Sequence, residues 1–156
     1  MNLPDDQRRA AFQARMSDFY SRVDAQIALR RPVCVNRGAC CKFGAYGHRL
    51  FVTEVELACF AMGQAGSTRR PEGMDACPYQ VDGFCSARSH RPLGCRIFFC
   101  DPAAQHWQSE EYERGLLELK QIGEEFGIEY RYQEWLAALD RVAGEAAVGK
   151  GCASVD

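Results

Sequence analysis

A mainly α-helical small single domain, with two cysteine-rich irregular loops between N- and C-terminal helices, is the fold class this sequence predicts. Three observations carry that expectation. Apolar residues recur at helical spacing near both ends, seven of nine cysteines fall in loop-like sequence between them, and 156 residues suit about one domain. With 47% apolar residues the chain can bury a core of its own.

Residues 5–30 form the first predicted helix. Phe12, Met16, Phe19, Val23 and Ile27 lie on one helical face, Pro4 suits the first turn, and Asp5 and Asp6 suit the positive end of the dipole. Pro32 stops it. Residues 33–51 are irregular, with Gly38, Gly44 and Gly47 permitting close backbone approach. A short helix begins at Thr53, where Thr53 and Glu56 match a capping box and Gly63 suits the C-cap. Its inner face is Val55, Ala58, Cys59 and Met62, which makes Cys59 a packing residue. Residues 63–76 are expected to be a polar linker.

In the second cysteine loop, Asp82-Gly83 predicts a tight turn that brings Cys77 towards Cys85. Asp101-Pro102 supplies an N-cap and first-turn proline for a helix over 102–126, with a break expected near Ser109 and a stop at Gly127. Residues 128–132 alternate and suit a short extended segment. Residues 133–147 form the last helix, packed through Trp135, Leu136, Leu139 and Val142. Along the chain this gives an N-terminal helix (1–32), a cysteine-cluster core (33–101), C-terminal helices (102–147) and a flexible tail (148–156) that holds Cys152.

The net charge of −2, with no long basic run, argues against nucleic acid as a partner. The first residues carry no apolar signal core, and no stretch has the roughly 18 apolar residues that span a bilayer. A cytoplasmic protein without a membrane partner is therefore expected.

An odd cysteine count, the adjacent Cys40 and Cys41, and a reducing compartment favour metal ligation over a disulfide framework. The candidates are Cys34, Cys40, Cys41, Cys77, Cys85, Cys95 and Cys100. Soft thiolate donors select zinc, cuprous copper or an iron–sulfur cluster. Seven exceed the four that one zinc site or one cubane cluster takes, and no pair has the two-residue spacing of a zinc ribbon. Cys41, Cys77, Cys95 and Cys100 come first in order of preference, then Cys34 and Cys85.

Between Cys34 and Cys100, eight basic residues against five acidic ones leave a surplus of three positive charges, which suits a thiolate-rich site. Arg91 and Arg96 bracket Cys95 and are the candidates for offsetting its charge, whereas Arg69 and Arg70 suit a solvated surface. His48 and His90 lie in the two loops, but a hydrogen-bonded structural role is the first expectation for each, as it is for His106.

The elements Gly38-Ala39-Cys40-Cys41, Thr53-Glu54-Val55-Glu56, Cys77-Pro78-Tyr79, Asp82-Gly83-Phe84-Cys85 and the run Arg91-Pro92-Leu93-Gly94-Cys95-Arg96 through Cys100 follow in order. Together they resemble the YkgJ-type family of zinc- or iron-chelating cysteine-cluster proteins over residues 33–101. That family opens on CxxCxxCC; here Arg37 stands in place of the second cysteine, and the seven candidates above are the positions that match. The resemblance implies metal chelation. A partial similarity to the cysteine-rich part of flagellin lysine methylases carries no activity, because no Gly-rich loop for S-adenosylmethionine is present.

The sequence thus points to a cytoplasmic protein whose thiolates hold zinc or an iron–sulfur cluster. The alternatives are an iron–sulfur redox protein or enzyme, and a thiol redox protein that uses Cys40 and Cys41. No nucleophile–base or acid–base pair is identifiable by spacing, so catalytic residues are not assigned.

Overall fold

Helical periodicity decides the larger part of the chain. In the computed structural model, residues 5–33, 39–64 and 68–150 are described, without the side chains of Ala39 and residues 147–150. Cys34, Arg37, Gly38 and Cys152 lie outside the described residues, as do Pro4 and the tail beyond residue 150.

Helix α1 runs Asp6–Arg30, capped by the Asp5 carboxylate, which accepts from Arg8 N at 2.6 Å, and closed by Arg31 in the left-handed region. The predicted face, Phe12, Met16, Phe19 and Val23, is buried, with Ile27 packed at its edge. A short helix α2 (Phe43–Tyr46) and strand β1 (Phe51–Thr53) precede α3 (Glu54–Gly63). The Thr53–Glu56 capping box forms in full. Gly63, expected as the C-cap, is instead the last helical residue. A Cβ there would stand 2.6 Å from the His90 ring, so glycine is required for close approach.

The hairpin of β2 (Gln80–Val81) and β3 (Phe84–Cys85) turns at Asp82 and Gly83, both with positive φ, as hairpin twist demands. Helix α4 (Leu93–Ile97) then leads to Asp101, whose side chain accepts from Ala103 N. A 3-10 turn at Pro102–Ala104 passes directly into α5 (Gln105–Phe126). The break expected near Ser109 is absent: its hydroxyl donates to Gln105 O, and the helix continues. Gly127 ends α5 at φ 66°.

Strand β4 (Tyr132–Glu134) falls later than the extended segment expected at 128–132. It pairs antiparallel with β1, Phe51 facing Glu134 and Thr53 facing Tyr132. Helix α6 (Trp135–Lys150) follows. The fold is mainly α, as the sequence predicts.

Two hydrophobic clusters result. One joins α1, α3, α4 and α5 through residues such as Phe12, Phe19, Val55, Leu93, Leu119 and Ile122. The other gathers Phe43, Leu50, Val52, Leu57, Phe60, Tyr79 and the Trp135, Leu136 and Leu139 face of α6 around the cysteine loops. Helix α3 serves both: Val55 and Ala58 face the first, Leu57 and Phe60 the second. Close packing in the first is set by Gly115, where a Cβ would meet Leu93 at 2.5 Å.

Candidate metal centre

Two backbone bonds lace the cysteine loops together. Gly44 N donates to Asp75 O and Cys77 N donates to Cys41 O, each at 2.9 Å. They set Cys41 beside Cys77, although 35 residues separate them in the sequence. The hairpin adds Cys85 opposite Gln80, fastened by Ser86 N donating to Tyr79 O at 2.7 Å. Cys95 arrives on α4, whose first residue is pinned: Leu93 N donates to the buried Glu56 carboxylate at 2.7 Å. That carboxylate also accepts from Thr53 N and Thr53 Oγ1, so the capping box of α3 fixes the segment that carries Cys95.

Five of the seven predicted thiols, Cys40, Cys41, Cys77, Cys85 and Cys95, line one small cavity of about 30 Å³. Tyr79, Phe60 and Trp135 wall it, and ring contacts of 4.9 Å (Phe60–Tyr79) and 4.8 Å (Phe60–Trp135) fix that wall. Cys100, expected among the four preferred ligands, is exposed and does not line this cavity. The α4 helix that presents Cys95 ends at Ile97, and Cys100 lies beyond it. Cys59 sits in α3 against the first cluster, as expected, with burial pushing its thiol up to about 11.

The sulfurs are chemically coupled. Cys40 Sγ and Cys41 Sγ are 3.9 Å apart, and Trp135 Nε1 donates to Cys77 Sγ at 3.5 Å. The hydrogen bond from Cys41 pulls the Cys40 thiol down to about 6, and bonds from Cys41 and then Trp135 pull Cys77 down to about 7. Cys41 is held far above its ordinary value because it is the donor to both and is buried. Burial, reinforced by the charges of Cys77 and Cys40, raises Cys95. Cys41 thus stands beside two thiols that ionise more readily than it does, in a pocket whose donors are soft.

Arg91 lines the same cavity and faces Cys95 and Cys85, the offsetting cation predicted from the sequence. Arg96 acts elsewhere. It is 5% exposed, pairs with Asp24 of α1 at 2.8 Å, donates to Ser89 O and Arg91 O, and lies over the Tyr20 ring. Its contribution is to hold the backbone of the Arg91 loop against α1. His48 Nε2 lies 3.3 Å from Cys40 O, His90 packs under α3, and His106 faces Glu110 on the surface. Among the described residues, no group of three or more His, Cys, Asp or Glu side chains stands in a geometry that could hold an ion as the side chains lie.

The residue that sequence reasoning missed is Trp135, assigned only to packing, whose indole N–H reaches a cysteine sulfur. Its place at the start of an amphipathic helix gave no such signal. Among the described residues no helix is long and apolar enough to cross a membrane. The chain matches no family model, no curated protein and no solved structure.

Proposed function

We propose that this protein binds a thiolate-ligated metal centre, a single zinc ion before an iron–sulfur cluster, through four of Cys40, Cys41, Cys77, Cys85 and Cys95. The observation that carries this reading is the convergence of five thiols from three separate segments on one cavity. The space between the sulfurs is small, about 30 Å³, and a single ion is the smaller of the two occupants, on which the side chains must still close to complete a site. The donor set is soft, and Cys40 and Cys77 need little or no deprotonation near neutral pH.

Each group of the chain has a definite part. With Cys41 among the four ligands, its thiol proton must leave, so uptake of a divalent ion releases at least one proton. Trp135 N–H holds Cys77 in place, and Arg91 offsets part of the thiolate charge. A zinc ion held by four thiolates supplies folding energy to the loops that bring it together. The ordered motifs of residues 33–101, which resemble the YkgJ-type family, support the same reading, and a reducing cytoplasm is the compartment that suits it.

A thiol redox role is the second reading, resting on the 3.9 Å approach of the Cys40 and Cys41 sulfurs. Anaerobic purification followed by metal analysis and a visible spectrum separates the two. About one equivalent of zinc per chain without colour, lost in Cys95→Ser, supports the zinc centre. Brown protein with iron and acid-labile sulfide places a cluster there instead. Metal-free folded protein with a Cys40–Cys41 disulfide overturns the metal reading.

A further inference from the structure

A second, larger cavity adjoins the cysteine site. It measures about 430 Å³, within the range of small-molecule pockets, and Cys40 and Cys95 reach both cavities. Four aromatic side chains follow one another along it. Phe51 stacks on Tyr132 with centroids 5.4 Å apart, the Tyr132 and Tyr112 hydroxyls meet at 2.8 Å, and Tyr112 contacts Phe98 at 4.9 Å. Phe51, Phe98 and Tyr132 are 39%, 47% and 43% exposed, and none of the three belongs to either hydrophobic cluster. Cross-strand stacking accounts for Phe51 and Tyr132 as a support of the β1–β4 pair. It does not account for Phe98, which comes from beyond α4 and still presents its ring to the same space.

The polar lining is one-sided. Arg49, exposed at this cleft, makes no ion pair among the described residues, and His48 stands next to it. No carboxylate lines the cleft. Where the two tyrosines meet, one hydroxyl hydrogen is used between them and the other is free to donate. Flat apolar walls, an unpaired guanidinium and a spare O–H together describe a partner with an aromatic body and an anionic end.

We infer that this cleft binds a small planar aromatic carboxylate of one or two rings, with its rings on the Phe51–Tyr132–Tyr112–Phe98 arc and its carboxylate at Arg49. The site goes beyond the metal centre and does not rest on it, because its walls and its cation belong to the chain whatever the sulfurs hold. Its position gives it a consequence for that centre: a ligand there lies against Cys40 and Cys95, the wall the two cavities share.

The test is calorimetric titration of the purified full chain with 2-naphthoate, beside 2-naphthalenemethanol (uncharged) and octanoate (not aromatic), with metal content measured in every preparation. Saturable one-to-one binding of 2-naphthoate is expected, with both controls much weaker. Arg49→Gln weakens it about tenfold or more, Arg49→Lys keeps most of it, and Phe98→Ala weakens it severalfold. His106→Ala, on the surface at α5, leaves it unchanged. Absence of saturable binding overturns the inference, and so does equal binding of either control or wild-type affinity in Arg49→Gln. Failure to bind by metal-loaded protein defeats this inference alone, whereas chain isolated folded and metal-free that still binds 2-naphthoate bears out this inference while the metal reading falls.

Discussion

The two hydrophobic clusters of this protein are built by opposite means. The first is four helices, α1, α3, α4 and α5, meeting through side chains that are almost entirely apolar. The second has α6 and part of α3 on one side and loops on the other, and three cysteines, Cys77, Cys85 and Cys95, pack against its edge. Burial by helical faces suffices for the first. In the second, segments too short to bury much are tied by single backbone bonds, such as Cys77 N to Cys41 O, around a set of sulfur donors. Loops of that kind carry little stability alone, and the thiols are where a bound ion would add it.

Chelation of the proposed metal is the strongest test of the difference between the two regions. Each cluster holds one tryptophan, Trp107 against the first and Trp135 within the second. In a Trp107→Phe variant, a strong chelator should shift the Trp135 fluorescence to longer wavelength and lower its melting temperature. A Trp135→Phe variant with the wild-type metal content per chain, reporting through Trp107, should change far less, and far-UV circular dichroism should keep most of its helical signal. Equal responses from both tryptophans would show one cooperative unit in which the distinction between the clusters has no energetic meaning.

Glu56 is where the regions are joined, and its loss comes next in size. The carboxylate is 2% exposed and accepts from Thr53 N, Thr53 Oγ1 and Leu93 N. Glu56→Ala leaves two buried amide N–H groups without an acceptor, so a loss of about 3 kcal/mol is expected from denaturant melts. Burial raises the Glu56 carboxyl above its ordinary 4.5, against the opposing pull of its three hydrogen bonds. With the folded value above the unfolded one, the folded state keeps a proton that the unfolded chain has already released. This group's contribution to stability therefore falls as pH rises from about 4.5 through the folded value, and Glu56→Gln should remove that slope. A slope unchanged in Glu56→Gln would assign it to other groups.

The first region was largely legible in the sequence, whereas of the second only the parts were, the thiols, the Asp82-Gly83 turn and the Trp135–Val142 face, and not how they meet. The Phe12–Ile27 stripe, the Thr53–Glu56 box, Asp82-Gly83 and Asp101-Pro102 are local signals whose partners lie within a few residues, and each appears where its spacing puts it. What escaped is long-range. Strand β1 has three residues and no periodicity, and its partner β4 lies about 80 residues away. Leu57 and Phe60 are one-sided only once α6 has packed on α3. Charge beside a cysteine predicted Arg91 and misassigned Arg96, because neighbours on a short helix face different elements. Cys100 lies past the end of α4, exposed, and does not line the cavity that Cys95 lines.

The smallest expected effect tests the division most directly, because it changes the same residue type in the other region. Cys59 is half-buried in α3, against the helical cluster, and its thiol is raised to about 11 by burial. Cys59→Ala removes one sulfur from an apolar contact, so it should cost about 1 kcal/mol of stability and leave the metal content per chain unchanged. In metal-free protein the same thiol should alkylate far more slowly at neutral pH than Cys40, which is exposed and drawn down to about 6. A Cys59→Ala chain that lost its metal would mean that α3 passes strain from one cluster to the other. The two regions would then be coupled through that helix rather than through the Glu56 carboxylate alone.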